Sequence, residues 1–304
     1  MKPTAPPATG IRTPWESLPA FVQDGVAAIL GAVVGEARTQ RGGFSPGVAA
    51  RVVTVDGRRA FVKAVSGEAN AFSPVLHRRE AGNAGRLPVG VPAPRLIGVY
   101  DDGVWVALVF EDVQGVQPQV PWDDGEFGVV LDAVHRLGQV LTPAPFDAPC
   151  ASEELVGTFD GWQELADRGE PVGFFAELAS SWPDAVRGDT LAHGDLRADN
   201  ILIGEDNVWF VDWPHAMRAA PWFDLLLLLP SVRAQGGPDP EEVFTRHPLG
   251  CDADQGAVTV ALAGLAGYFL NSASKPAPPG LPTLRPFQRA QGDAALEWLR
   301  RRVG

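Results

Sequence analysis

Residues 191–212 are the most informative part of the sequence, because a polar loop there runs directly into two short apolar segments joined by a turn. The loop, His193-Gly-Asp-Leu-Arg-Ala-Asp-Asn200, leads into Ile201-Leu-Ile203, and the turn returns the chain as Val208-Trp-Phe-Val-Asp212. Pairing 203 with 208 and 201 with 210 sets Asn200 opposite Val211, next to Asp212. Opposed residues of antiparallel strands lie roughly 5 Å apart, so the two polar side chains are predicted to meet.

The side chains at the open end of this hairpin suit a hard cation. Asn200 and Asp212 both offer oxygen atoms, which Mg²⁺ favours together with waters and substrate phosphates. Asp195 lies on the same loop and can face the same space, where a base would orient an attacking hydroxyl group. A polar loop without a function is the alternative, but the multi-part pattern favours a site. The segment therefore predicts Asp195 as the catalytic residue and Asn200 and Asp212 as metal ligands.

Lys63 is one of only three lysines, against 22 arginines, and it lies in an otherwise apolar strand-like segment, 61–65. A buried ammonium group is costly unless it is paired. Glu80 lies on the inward stripe of a helix predicted over 74–86 and would supply the partner. A purely structural ion pair is the alternative, but a lysine held in this way can also contact nucleotide phosphates.

Two weaker segments complete the predicted nucleotide site. Gly42 and Gly43, with Ser45, precede the lysine strand, and glycines let backbone N–H groups approach phosphates closely, although a plain hairpin turn is equally consistent. The connector from Glu111 to Val113 follows the last predicted strand, and its backbone could hydrogen-bond an adenine edge.

The order of predicted elements indicates an α+β chain with two lobes. Strands are predicted at 49–55, 59–65, 95–100 and 104–110, and helices dominate afterwards, at roughly 124–141, 152–167, 172–186, 221–234, 255–272 and 286–302. The change near residue 113 predicts three parts. These are a flexible tail (1–14), a small β-rich N-lobe that binds nucleotide (15–113) and a larger, mostly helical C-lobe with the catalytic loop, metal site and acceptor site (114–304).

Charge and composition narrow the partners. The net charge of −12 argues against nucleic acid. Residues 1–115 carry 12 basic and 10 acidic side chains, whereas residues 116–304 carry 13 and 27, which would suit a cationic acceptor or serve solubility alone. Cys150 and Cys251 stand apart, so neither a zinc site nor a disulfide framework is expected. No apolar run approaches the roughly 20 residues of a membrane span, and the N-terminus lacks the features of a leader. A cytoplasmic protein is expected.

Together these residues resemble the aminoglycoside phosphotransferase family, also called the phosphotransferase enzyme family, which is similar to protein kinases. The resemblance covers roughly residues 35–230. It implies a two-lobed protein-kinase-like fold and use of ATP and Mg²⁺. Asp224 resembles the family's buried aspartate and is expected to brace the catalytic loop. Two patterns depart from the family: Ala219-Ala-Pro221 replaces Gly-Asp-Pro, and the glycine segment is not GxGxxG. The matching residues are His193, Gly194, Asp195 and Asn200 for the catalytic loop, Asp212 for the metal, and Lys63 with Glu80 for the phosphates.

The predicted function is ATP- and Mg²⁺-dependent transfer of phosphate to a hydroxyl group of a small molecule. An aminoglycoside-like or amino-sugar acceptor is the best guess, and antibiotic resistance is one role this would allow. Apolar residues around Trp122, Trp162 and Phe269 would equally suit a less polar acceptor. A protein substrate is disfavoured, because residues 213–223 contain no Ser, Thr or Tyr and no Ala-Pro-Glu follows. The alternatives are a non-catalytic nucleotide-binding module and a kinase of another metabolite; the sequence leaves the oligomeric state and the choice of GTP over ATP open.

Overall fold

The chain folds into two lobes in a computed structural model that describes residues 4–40, 42–44, 47–68 and 70–304. An antiparallel sheet of five strands, in the order β1-β2-β3-β5-β4, forms the N-lobe with one helix against each face. A short 3-10 helix, Trp15–Ser17, precedes these elements. Their bounds are α1 Ala20–Leu30, β1 Val34–Thr39, β2 Val48–Thr54, β3 Arg59–Ser66, α2 Ser73–Ala84, β4 Leu96–Asp101 and β5 Trp105–Glu111.

The period of two along β3 decides which residues meet which helix. Ala60, Val62 and Ala64 are fully buried in the core that α1 covers. Phe61 and Lys63 point to the opposite face, where α2 packs on β5 and β3. Lys63 thereby reaches the interior between the sheet and α2 without entering the main apolar core.

The C-lobe is built around α11, which packs on α12 and on α5, α6 and α7. Two small antiparallel ladders, β6 with β9 and β7 with β8, lie between this helical body and the N-lobe sheet. The bounds are α3 Asp124–Val140, α4 Ala151–Glu154, α5 Gly161–Asp167, α6 Gly173–Ala179, α7 Trp182–Ala185, β6 Thr190–Ala192, β7 Ile201–Ile203, β8 Val208–Phe210, β9 Met217–Ala219, α8 Phe223–Ala234, α9 Pro240–Arg246, α10 Pro248–Cys251, α11 Gln255–Ala273 and α12 Leu284–Val303.

The α+β, two-lobed fold class predicted from the sequence is confirmed. The predicted helices over 152–167 and 172–186 are each broken in two. Gly157 adopts a left-handed φ of 73° and its N–H donates to Asp160 Oδ2 at 2.8 Å, which turns the chain between α4 and α5. Pro183 lies in the first turn of α7, where a missing N–H is tolerated, so the chain restarts a helix there.

Residues 4–13 lie against both lobes, whereas the sequence predicted a flexible tail. Thr4 and Ala5 both donate their N–H groups to Ala234 O at the end of α8, at 2.8 and 3.0 Å. The segment then crosses to the N-lobe, where Thr13 N–H donates to Gly47 O at 3.0 Å. Its backbone hydrogen bonds reach partners far along the chain, so a Pro- and Ala-rich composition gave no sign of them.

By length and composition, α11 is the one helix in the described chain that could cross a membrane. More than half of this stretch is buried inside the protein, against α12 and the short helices α5 to α7.

Candidate active site

Lys63 holds two carboxylates at the junction of the lobes. Its Nζ lies 2.7 and 2.8 Å from the two oxygens of Glu80 and 2.7 Å from Asp212 Oδ1. The Lys63–Glu80 contact predicted from the sequence is therefore present, and Asp212 joins it from the β7–β8 hairpin. The Glu80 side chain is 4% exposed but that of Asp212 is 26% exposed. Asp212 is thus the carboxylate that a ligand can reach.

The charged groups of this cluster shift one another's pKa values. Burial alone would lower the pKa of Lys63, but the Asp212 and Glu80 carboxylates outweigh it and raise that pKa. Burial would likewise raise the pKa of Asp212, yet the Lys63 ammonium lowers it below its ordinary value. Burial raises the pKa of Glu80 to about 7, which Lys63 offsets only in part. Asp212 therefore carries the negative charge that is open to the cleft.

The backbone at Asp212 is unusual. Its φ of 72° is the only positive value at a non-glycine residue in the described chain. Asp and Asn tolerate this left-handed region better than other residues with a Cβ, at a cost of roughly 1–2 kcal/mol. The conformation follows the end of β8 and turns the carboxylate towards Lys63.

The hairpin has the register predicted for it. Ile201 pairs with Phe210 and Ile203 with Val208, and Val211 N–H donates to Asn200 O at 3.0 Å. Asn200 Nδ2 donates to the Asp195 backbone oxygen at 2.8 Å and to Asp195 Oδ2 at 3.2 Å. These bonds hold Asp195 in the loop. They use Asn200 Nδ2 only, so Asn200 Oδ1 takes no part in them.

Asp224, at the start of α8, holds the loop from below. Its Oδ2 accepts the His193 N–H at 2.7 Å and its Oδ1 accepts the Gly194 N–H at 3.0 Å. Gly194 has a φ of 81°, and a Cβ there would lie 2.3 Å from His215 O, so glycine is required at this position. Burial raises the pKa of Asp224 to about 6 despite these two hydrogen bonds. The bracing contacts predicted for Asp224 are thus present.

Asp224→Ala is expected to destabilise the protein by about 2–5 kcal/mol, because it leaves two N–H groups in the interior without their acceptor. Asp224→Asn keeps one acceptor oxygen and should lose less. Urea unfolding followed by tryptophan fluorescence measures both, with Asp189→Ala, at an exposed position before β6, as the control. An Asp224→Ala midpoint equal to that of the control would contradict the bracing role.

Arg197 is a residue of the loop to which the sequence gave no role. Its guanidinium makes a close ion pair with Asp195 Oδ1 and binds Asp199 through Nε and Nη2, both at 3.0 Å. It lies 5.6 Å from the centre of the Phe44 ring. Burial raises the pKa of Asp195, and the Arg197 charge opposes that rise. Arg197 therefore sets both the position and the ionisation of the candidate base.

Arg12 is a second residue that sequence reasoning missed, because it lies in the segment predicted to be a tail. Its Nη2 donates to Gly42 O at 2.6 Å and its Nε donates to the same oxygen at 3.2 Å. Burial lowers the pKa of Arg12, and the Asp212 and Asp199 charges partly restore it. The guanidinium thus fixes the glycine segment and adds a positive charge to the cleft.

Arg12→Met is expected to raise the KM for ATP by roughly 10–100-fold with a smaller change in kcat, since a hydrogen bond from a charged group contributes about 1.5–3 kcal/mol. Steady-state kinetics with varied ATP measures this. Arg38→Met, at an exposed position on β1, is the matched control. Equal KM values for the two variants would show that Arg12 does not contribute to the nucleotide site.

Two cavities meet at the carboxylates of this cluster. The first, here the strand-side cavity, has a volume of about 360 Å³ and lies between the N-lobe sheet and the β7–β8 hairpin. The residues predicted for cofactor binding and metal that line it are Gly42, Gly43, Lys63, Glu80, Glu111, Val113, Asn200 and Asp212. Ser45, predicted with them, lies outside the described residues.

The connector leaves backbone N–H groups available to a ligand in the strand-side cavity. Glu111 N–H donates to Arg95 O at 2.9 Å, and Val113 O accepts from Arg51 Nη2 at 3.1 Å. Val113 N–H has no hydrogen-bond partner in the part of the chain that the structure describes. A flat heteroaromatic edge could accept from it.

The second, here the helix-side cavity, has a volume of about 600 Å³ and lies between α2 and the C-lobe helices α11 and α12. Asp195 lines this cavity only, whereas Asn200 lines only the strand-side cavity. Glu80 and Asp212 line both. A group held by Asp212 in one cavity therefore lies next to a group held by Asp195 in the other.

The oxygen ligands present fit a magnesium ion that is completed by waters and phosphates. Asp212 offers a carboxylate and Asn200 an amide oxygen, both facing the strand-side cavity. No group of three or more His, Cys, Asp and Glu side chains suited to a metal occurs among residues 4–40, 42–44, 47–68 and 70–304. The two ligands leave the rest of a coordination shell to waters and substrate oxygens, as Mg²⁺ prefers.

The chain is similar to known proteins in three respects: its match to a family model, its sequence identity to a characterised relative, and its fold. The model of the phosphotransferase enzyme family matches residues 43–258, more than half of the chain. The chain is 26% identical over 192 residues to streptomycin 6-kinase of Streptomyces griseus, a match that spans 60% of this chain and 60% of that relative's length.

Solved structures share the fold. A thermostable mutant of aminoglycoside phosphotransferase APH(4)-Ia, in a ternary complex with ADP and hygromycin B, superposes with a TM-score of 0.62 at 14% identity, over 92% of this chain and 98% of that one. Amicoumacin kinase hAmiN in complex with AMP-PNP, Ca²⁺ and Ami gives a TM-score of 0.55 at 10% identity, over 91% of this chain and 93% of that one. At such identities the likeness establishes the fold alone.

Proposed function

The chain belongs to the phosphotransferase enzyme family, and from this premise we propose that it transfers the γ-phosphoryl group of ATP, with Mg²⁺, to a hydroxyl group of a small molecule. The single observation that carries the proposal is the junction of the two cavities. Lys63 Nζ lies 2.7 Å from Asp212, which lines both cavities, while Asp195 lines the helix-side cavity. Nucleotide and acceptor can therefore lie on either side of one carboxylate.

In this proposal the N-lobe residues hold the nucleotide. Val113 N–H donates to the adenine edge, Lys63 contacts the phosphates with Glu80 as its fixed partner, and the segment of Gly42 and Gly43 covers them. Residues 15–113 act as the nucleotide-binding lobe and 114–304 as the lobe that carries the catalytic loop and the acceptor site. Positioning and neutralisation of charge supply most of the catalysis in such a transfer.

The C-lobe residues act on the acceptor. Asp195 accepts a hydrogen bond from the acceptor hydroxyl and takes its proton as the oxygen attacks phosphorus. Asn200 and Asp212 would hold Mg²⁺, which when bound neutralises charge on the phosphate oxygens. Asp224 keeps the loop in place through the His193 and Gly194 N–H groups. A cytoplasmic location, where ATP and Mg²⁺ are abundant, fits this function.

The proposal is tested with the purified chain of 304 residues. Release of ADP is measured with MgATP alone and with panels of hydroxylated small molecules, and phosphorylation of a responding molecule is verified by ³¹P NMR. Acceptor-dependent ADP release is expected. Nucleotide binding with no turnover on any panel would favour a non-catalytic binding module, and transfer of labelled phosphate only to protein substrates would favour a protein kinase.

Arg197→Met is expected to move the acidic limb of the pH profile of kcat/KM to higher pH. Asp195 must be ionised to act as a base, and burial already raises its pKa while Arg197 opposes that rise. Loss of the opposing charge raises the pKa further, so activity is lost at a higher pH as the solution is acidified. Arg197→Lys keeps a positive charge near Asp195, so its acidic limb should move less than that of Arg197→Met. Lower activity with an unmoved limb would mean that Arg197 acts on structure alone.

A further inference from the structure

The charges of the helix-side cavity are already paired within the protein. Four carboxylates line it among the described residues. Glu80 and Asp212 bind Lys63, and Asp195 binds Arg197. The fourth, Glu154, accepts from Arg79 Nη1 at 2.9 Å, and both of these residues line the cavity.

The excess of acidic side chains in the second half of the chain is therefore not located around this cavity. Residues 116–304 contain 27 acidic side chains, but only Glu154, Asp195 and Asp212 of that range line it. A ligand with several ammonium groups would have to leave water without finding a free carboxylate for each charge, which is unfavourable. The sequence-based argument for a cationic acceptor thus loses its support at the place where the acceptor would bind.

The wall of the cavity is mainly apolar. Leu, Phe, Met, Pro and Tyr supply more than half of its lining residues. Leu265 and Phe269 contribute from α11, and Leu284 and Phe287 from α12. Phe72, which also lines the cavity, is 61% exposed. Ligand sites commonly combine such a wall with a few placed polar groups.

Two uncharged polar groups face the cavity without a partner. Gln291, on α12, is 2% exposed, and its side-chain amide makes no hydrogen bond within the described residues. His77 Nδ1 donates to Ser73 O at 3.1 Å, so Nε2 is left as a bare acceptor. Burial lowers the pKa of His77 to about 4, which keeps the ring neutral. Neither group is one of the fully enclosed, unpaired side-chain atoms of the described chain, so both open into the cavity, where a ligand hydroxyl or carbonyl group can hydrogen-bond to them.

We infer that the acceptor is an uncharged, amphipathic hydroxylated molecule with one apolar face, rather than a polycationic aminoglycoside. The inference rests on the proposed function and specifies its substrate class. The apolar face lies on the α11–α12 wall and Phe72, while Gln291 and His77 Nε2 bind hydroxyl or carbonyl groups and Asp195 receives the reacting hydroxyl. Of the aromatic residues that the sequence offered for a less polar acceptor, Phe269 lines the cavity, whereas Trp122 and Trp162 are buried in the C-lobe core.

The test compares pairs of molecules in which one hydroxyl group is replaced by an amine. Phenyl β-D-glucopyranoside and its 2-amino-2-deoxy analogue form the first pair, followed by further neutral aryl and alkyl glycosides, each with an amine-bearing counterpart, and by streptomycin. Binding to the ADP-loaded protein is measured by saturation-transfer NMR and calorimetry, and turnover by ADP release. Neutral members are expected to bind with an affinity at least about tenfold higher than that of their amine counterparts.

Two variants with matched controls locate the binding. Gln291→Leu should weaken binding of a neutral ligand about 5–10-fold, whereas Gln163→Leu, at an exposed position on α5, should not. Phe72→Glu should weaken neutral ligands and strengthen their amine analogues. Phe174→Glu changes a residue that is also 61% exposed but does not line the cavity, and should leave both unchanged.

The outcomes separate this inference from the proposed function. Tighter binding or faster phosphorylation of amine-bearing members or of streptomycin would overturn the inference and leave the phosphotransferase intact. Failure of every neutral member to bind to ADP-loaded protein would also overturn it. Absence of MgADP binding, seen as no thermal stabilisation, would instead count against the proposed function itself.

Discussion

Asp195→Asn is expected to lower kcat for phosphorylation of the acceptor by about 10²–10⁴-fold, while the affinity for nucleotide stays nearly the same. The amide has the shape of the carboxylate but cannot take the proton of the attacking hydroxyl. Asp195 lines the helix-side cavity and not the strand-side cavity, so the variant should keep its nucleotide contacts. The loss should therefore appear in kcat and hardly in the KM for ATP.

The measurement is steady-state ADP release with a responding acceptor, together with thermal stabilisation by MgADP. Asp189→Asn, at an exposed position just before β6, is the matched control and should behave as wild type. A rate for Asp195→Asn equal to that of the control would remove the assignment of Asp195 as the base. A loss of MgADP stabilisation would show instead that the loop had been disrupted.

The parts of the site that the sequence predicted are those set by local geometry. The turn between Ile203 and Val208 fixes the hairpin register, and the register alone brings Asn200 beside Asp212. The Lys63–Glu80 contact was also predictable, because a buried ammonium needs a carboxylate and the period of α2 offers one on its inner face. The chemical roles of these residues remain predictions.

The parts that escaped prediction depend on contacts between distant segments. Arg12 reaches Gly42 only because residues 4–13 cross from the C-lobe to the N-lobe, and no periodicity or turn signal marks such a path. The pairing of Arg197 with Asp195 needs the loop conformation that Asp224 imposes from α8. A sequence pattern names residue types, but not which of several neighbouring carboxylates an arginine will bind.

The wall of the helix-side cavity shows the same limit for predictions made from charge. A net charge summed over half a chain says nothing about where each charge points. In the folded chain Glu154 is held by Arg79 from the other lobe, and Gln291 reaches the cavity from α12, at the far end of the sequence. The composition of a cavity is decided by which distant helices form its wall, and here those helices are largely apolar on the face they present.

Asp212→Asn is expected to reduce turnover by about 10²–10³-fold and to raise the Mg²⁺ concentration needed for half-maximal rate. Asparagine fits the left-handed φ of 72° as well as aspartate does, so backbone strain should not obscure the result. The substitution removes the one carboxylate of the proposed metal ligands and leaves Asn200 with a second neutral amide. Neutral oxygens hold a divalent cation less tightly than a carboxylate does.

The same substitution alters the charge balance around Lys63. The pKa of Asp212 is lowered in the folded protein, so its carboxylate stabilises the fold at neutral pH, and this contribution is lost as the pH falls below the ordinary aspartate range. The variant lacks it throughout. Asp212 also raises the pKa of Glu80, so its removal lets Glu80 ionise more readily and pair more fully with Lys63. The net loss of stability should therefore be smaller than the loss of one buried ion pair.

These two effects can be separated by titrating Mg²⁺ against the thermal stabilisation that ADP provides. Wild type and Asp206→Asn, an exposed turn residue of the same hairpin, should gain stabilisation as Mg²⁺ is added. Asp212→Asn should start from a slightly lower melting temperature and gain little from Mg²⁺, because ADP binds through Lys63 and the N-lobe but recruits the metal poorly. An unchanged Mg²⁺ dependence in this variant would place the metal elsewhere and leave Asp212 as the counter-ion of Lys63 alone.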